Sequence, residues 1–226
     1  MSDLLAEVDE AMRQERLAKF WHDNKAFIIA FIILTIVATG AMSAYRSWDA
    51  KTKTTQTAAL IELQEKADYP ANMIEAELDF RSNIRGIALL SAAGTAMQRD
   101  NLEDAAKLYA RLSEDKKIPE QFRHLGILMD ARLKLDNGDA DKEQLLNNLQ
   151  PILNSKSAWK PHAQIDAAIL QSETNPQNAL ELLNAVSDTQ ALSPSLYERA
   201  QKLHHVISGQ IASNQTDTET NTVETN

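Results

Sequence analysis

The chain has 226 residues, a formal net charge of −9 and no cysteine. Lack of cysteine excludes disulfide scaffolds, zinc fingers, thiolate catalysis and iron–sulfur clusters, and the acidic balance disfavours a generic phosphate-binding role, which needs a cationic face. Gly and Pro number 6 each, too few for the turns of a β-sandwich or a glycine-rich nucleotide fold but sufficient for helices.

The chain opens with SDLLAEVDEAMRQERLAKFW over 2–21. Ser2 or Asp3 can cap a helix there. Leu4, Val8, Met12 or Ala11, and then Leu17 and Trp21 make an irregular apolar stripe, with acids early and bases late as a helix dipole prefers. Residues 1–25 are therefore expected to form an amphipathic segment that touches a partner or a bilayer surface. The other reading is a solvated lead-in to the next segment.

That next segment, AFIIAFIILTIVATGAMSAY over 26–45, holds 20 residues and no charged side chain. At about 1.5 Å per residue it reaches roughly 30 Å, the hydrocarbon thickness of a bilayer. Trp21 precedes it, and Tyr45 and Trp48 close it, where aromatic rings suit the headgroup interface. A buried core helix would be shorter and interrupted by polar positions. A cleavable signal peptide has an apolar region of about 7–15 residues after a short basic stretch. Here the run is longer and its lead-in mixed in charge, so an uncleaved anchor is expected. Ala41 and Ser43 would serve the cleaved alternative. Gly40 and Ala44 form one small-xxx-small pair that could seat another transmembrane helix. Arg13, Arg16, Lys19 and Lys25 precede the span, against Arg46, Lys51 and Lys53 after it. The bias places the N-terminus in the cytoplasm and the rest across the membrane.

From Thr52 onward 17 Lys/Arg face 25 Asp/Glu, and the pattern to about Ser208 is helical. Helices are expected over about 54–67, broken by Asp68-Tyr69-Pro70, then 72–80, 83–98, 102–115, 119–135, 141–153, 159–173 and 177–188, with a last one from near Pro194. Inter-helix turns near 100, 138 and 175 are 38 and 37 residues apart, and Pro119, Pro161 and Pro194 are 42 and 33 apart. Such periods belong to repeats of helix pairs. The residue types point to the tetratricopeptide kind: Ala93 lies twelve positions before Ala105, with Tyr109 following, and Ala167 lies twelve before Ala179, with Leu183 following. Small residues let paired helices approach closely, and the larger one fills the groove beside them. The fold class expected is all-α: one N-terminal transmembrane helix over 26–45, then a tetratricopeptide-like α-solenoid of stacked helix pairs over 50–208. An irregular helical domain is the alternative. Gly209 is expected to end the last helix, leaving 209–226, rich in Thr and Asn, disordered.

No chemical site emerges. His22, His124, His162, His204 and His205 read as ordinary surface histidines; the adjacent pair points about 100° apart and cannot chelate as an i,i+4 pair would. The acidic turn Asp136-Asn137-Gly138-Asp139-Ala140-Asp141 fails calcium-loop spacing, because Leu133 would hold the first ligand position. It reads as a helix–helix turn built on Gly138. Glu75, Glu77 and Asp79 alternate and share no helical face. With no nucleophile elbow, P-loop or dinucleotide fingerprint, no catalytic, cofactor-binding or metal residue is expected. Nucleic acid and a small-molecule substrate are not expected as partners either.

Phe20-Trp21 before one span, Tyr45-Arg46-x-Trp48 after it, and a degenerate tetratricopeptide domain together resemble the bacterial ancillary SecYEG translocon subunit family, also called YfgM-like. Met1-Ser2-Asp3, Glu7-Val8-Asp9-Glu10 and Arg16-Leu17-x-Lys19-x-x-Trp21 look like its alphaproteobacterial branch. The resemblance implies a non-enzymatic inner-membrane protein with a periplasmic helical-repeat domain. Its partners would be the protein-export translocon and periplasmic chaperones or exported chains. A membrane-anchored scaffold for envelope or cell-division complexes, without translocon contact, is the rival reading.

Overall fold

A computed structural model describes the backbone of residues 2–77, 79–138, 141–190 and 192–223, and the side chains between 12 and 213 apart from those at 14 and 17 within this range. Among the described residues the secondary structure is helical, with no strand. The helices are α1 (Ser2–Gln64), α2 (Tyr69–Glu75), α3 (Ser82–Gln98), α4 (Leu102–Glu114), α5 (Glu120–Asp136), α6 (Lys142–Leu153), α7 (Lys160–Gln171), α8 (Pro176–Ser187) and α9 (Pro194–Val223). The chain divides into two compact units, 1–58 and 59–226.

The first unit is helical and its apolar stretch is uncovered. Phe27 and Phe31 are 79% and 70% exposed, and Leu34, Ile36 and Val37 are exposed with them. Inside the run the Thr35 hydroxyl donates to the Phe31 carbonyl at 2.8 Å, and the Thr39 hydroxyl to the Thr35 carbonyl at 2.7 Å. Both polar side chains are thus satisfied by their own helix, as a hydrocarbon surrounding would require. This helix is long and apolar enough to cross a membrane.

In the second unit each helix packs on the next in chain order from α2 to α9, with additional contacts of α2 with α4, α3 with α5 and α5 with α7. Local chemistry explains the boundaries. Helices α4, α6 and α8 start at a side-chain cap: Asn101 accepts from Asp104 N–H, Asp141 from Glu143 and Gln144 N–H, and Asn175 from Asn178 N–H. Proline also marks helix starts: Pro119 caps α5, Pro161 lies in the first turn of α7, Pro176 opens α8 after its Asn175 cap, and α9 begins at Pro194. The turns after α3 and α5 pass through left-handed backbone at Asp100 (φ 57°) and Gly138 (φ 69°), a conformation glycine and aspartate tolerate best. Residues 139–140 of the acidic turn lie outside the described residues.

Two helix boundaries differ from the sequence expectation. The second short helix covers Tyr69–Glu75 and not 72–80. Buried Tyr69 donates its hydroxyl to the Ala88 carbonyl at 2.9 Å, drawing the start back. Arg111 donates to the carbonyls of Met73, Ile74 and Ala76 at 2.6, 2.8 and 2.6 Å, closing the other end. The last helix does not stop at Gly209 but runs to Val223. Glycine inside a helix costs only about 1 kcal/mol relative to alanine, and Ile207 and Ile211 on either side of it pack on the third apolar cluster, which holds the helix through that position.

Among the described residues the core falls into three clusters. Leu60, Met73, Leu89, Leu108 and Leu112 anchor the first, Leu128, Leu149 and Ile152 the second, and Ile165, Leu183 and Val186 the third.

Candidate functional site

In the first unit, Trp21, Tyr45 and Trp48 are all exposed. The Tyr45 and Trp48 rings lie 6.4 Å apart, tilted by 46°. On a continuous helix the 24 positions from Trp21 to Tyr45 correspond to roughly 36 Å, enough to hold one aromatic group at each side of a hydrocarbon layer. Gly40 and Ala44 share a helical face, and a Cβ built on Gly40 would meet nothing within 4 Å.

In the second unit, Ala93, Ala105 and Tyr109 lie together in the first cluster, buried between α3 and α4. The other triplet is split. Ala179 and Leu183 belong to the third cluster, whereas Ala167 belongs to the second, with Leu128 and Leu149. Ile165 and Ala168 are the buried α7 residues that join Ala179, with partly buried Ile169 beside them. The reason is that α7 packs on α6 and on α8, and residues 167 and 168, about 100° apart, belong to different sides. Two close approaches escaped the sequence reading. A Cβ on Gly126 would lie 3.0 Å from Ser113 N and Tyr109 O, and one on Gly86 3.0 Å from the Phe122 ring. Their signal was a glycine in mid-helix with no turn residues around it.

A polar seam links α5, α7 and α9. The Asp166 carboxylate, 6% exposed, accepts from Arg132 Nε at 2.7 Å and Nη2 at 3.4 Å, and Arg199 Nη2 lies 3.9 Å away. One turn earlier stands half-buried His162, its ring 5.6 Å from that of Trp159. Burial pushes its pKa below the ordinary value and Arg132 adds to this, against the pull of Asp166. His124, expected at the surface, is only 6% exposed. Its Nε2 lies 3.4 Å from Glu120 Oε1, and its buried Nδ1 has no hydrogen-bond partner among the described residues. Burial is the main cause that lowers its pKa, with Glu120 opposing.

The 154–159 loop separates two clefts. One, of about 230 Å³, is lined by Glu120, Gln121 and His124 and by the loop itself. The other, of about 710 Å³, lies between the start of α7 and the end of α8, with Lys156, Lys160, His162 and Gln164 on one wall and Thr189, Gln190 and Ser193 on the other. These groups can donate hydrogen bonds and neutralise an anion. Among the described residues no three His, Asp or Glu side chains converge as a metal site. Comparison with protein-family models, with curated proteins and with solved structures gave no match.

Proposed function

We propose that this chain is a single-pass membrane adaptor: an ancillary subunit of the protein-export translocon that connects it to periplasmic chaperones or exported chains. The observation that carries the reading is the exposed, uncharged helical run over 26–45, with aromatic residues at both ends, in the same chain as a unit of successively packed helices. A run that buries nothing against its own protein has its natural solvent in lipid. In the helical unit, the recurrence of Asn/Asp caps at α4, α6 and α8 and of proline starts at α5, α7, α8 and α9 supports a degenerate tetratricopeptide-like solenoid. Stacked pairs of that kind present extended surfaces to peptides and proteins. In this reading the N-terminus is cytoplasmic, the span lies in the bacterial inner membrane and the helical unit is periplasmic. The translocon assignment draws on the resemblance of the residues around the span.

Affinity capture of the full chain from detergent-solubilised membranes tests it. Channel subunits should co-purify, and exchanging 26–45 for an unrelated apolar span should weaken that co-purification while the helical unit stays folded. Capture of envelope or division machinery without channel subunits would overturn the translocon reading and establish the scaffold.

A further inference from the structure

We propose that the cleft between the start of α7 and the end of α8 binds a polypeptide segment through a carboxylate. Four observations converge on it. First, the cleft encloses about 710 Å³ and its lining holds Lys156 and Lys160 but no acidic residue. In a stretch where 25 acids oppose 17 bases, that is a local reversal of sign. Among the described residues neither lysine forms an ion pair. Second, Trp159 at the start of α7 supplies no side-chain cap. Of the first amides, that of Trp159 donates to the Ser157 hydroxyl at 3.2 Å, that of Lys160 donates to the Ser157 carbonyl at 3.1 Å and Pro161 has none, so the His162 N–H and the positive end of the dipole are what remains for an anion.

Third, Gln164 is 7% exposed and lines the cleft, and its amide meets no hydrogen-bond partner among the described residues. The body of the side chain is buried while its amide opens onto the cleft, where an occupant can replace solvent as its partner. A side-chain amide can donate to a peptide carbonyl and accept from a peptide N–H at once. Fourth, Pro161 and Leu192 add apolar surface, and Thr189 and Ser193 add hydroxyls. That mixture, in a volume far larger than one phosphate needs, suits a short run of extended chain. The choice of a polypeptide rests on the adaptor reading; the choice of a carboxylate rests on the cleft.

The test uses the full chain in detergent and fluorescence anisotropy of a labelled peptide of Ser, Asp and Leu with a free C-terminus. Two further peptides separate the sources of the carboxylate: one amidated at its C-terminus, one with Asp replaced by Asn. Saturable binding is expected, lost in one of these two arms, which identifies the carboxylate used. The double variant Lys156→Glu/Lys160→Glu should weaken binding by about tenfold with an unchanged unfolding midpoint. Gln164→Leu should weaken it by about fivefold. No saturable binding, equal binding by all three peptides, or unchanged affinity in the double variant would overturn the site. Displacement by inorganic phosphate as effective as by unlabelled peptide would assign the cleft to small anions and overturn the polypeptide. Peptide binding as expected with no channel subunits captured would leave the site standing and remove the translocon reading. Channel capture without peptide binding would remove the site alone.

Discussion

The crossing of α4 and α5 offers a test in which one chemical change should act with opposite signs at two positions. At Gly126 an added methyl would sit 3.0 Å from Ser113 N, 3.0 Å from Tyr109 O and 3.1 Å from Leu112 Cγ. Two of these three atoms belong to the backbone of α4, so no rotamer change relieves the contact and the helices must separate by a few tenths of an ångström. Overpacking of this kind costs about 1–3 kcal/mol. Against it stands the helix propensity of alanine over glycine, about 1 kcal/mol. Gly126→Ala should therefore lower stability by about 1 kcal/mol net of propensity. At Gly94, in the middle of α3, the same methyl would meet nothing within 4 Å. Only propensity acts there, and Gly94→Ala should raise stability by about 0.5–1 kcal/mol. For a unit of this size each kcal/mol moves the midpoint by about 2–4 °C, so the two variants should lie on opposite sides of wild type. Thermal unfolding of the full chain in detergent, followed by far-ultraviolet circular dichroism, reads both. A Gly126→Ala midpoint at or above wild type would refute the close crossing.

Ala93→Leu, Ala105→Leu and Ala179→Leu, each at a fully buried position, should destabilise by about 1–3 kcal/mol through overpacking; wild-type unfolding midpoints in all three would contradict the tight helix packing. Arg111→Ala removes the donor to three carbonyls at the end of α2 and should cost about 1.5–3 kcal/mol. Arg111→Lys should recover little, since an ammonium lacks the planar fork, and full recovery in chemical denaturation would show that charge alone suffices. His124 has its folded pKa lowered, chiefly by burial. The folded state then binds fewer protons than the unfolded one below about pH 6.5, so stability is complete above that value and falls as pH drops. His124→Gln should shrink the difference in unfolding midpoint between about pH 7.5 and about pH 5; an undiminished difference would assign the acid sensitivity elsewhere, with half-buried His162 next to be replaced.

Much of the architecture was legible in the residues because it depends on interactions spanning a few positions. The uncharged run over 26–45, the turns near 100, 138 and 175 and the prolines at 119, 161 and 194 act within one or two helical turns. They mark an all-helical chain and most of its boundaries without any knowledge of neighbours. The exceptions arose where distant residues intervened: Arg111 and Ala88 reset the limits of α2, and the third cluster carried α9 through Gly209.

The tertiary structure alone decided which side of each helix meets which neighbour. Ala167 and Ala168 are equivalent by composition, yet one joins α5 and α6 and the other α8. Asp166 finds Arg132 and Arg199 across 34 and 33 positions of chain, His124 loses the solvent its polarity suggests, and Gln164, largely buried, lines a cleft. Residue type and spacing determine what a helix can offer on each face. Burial, close approach and ion pairing depend on the element that arrives to cover that face, and that is settled by the packing of segments far apart in sequence.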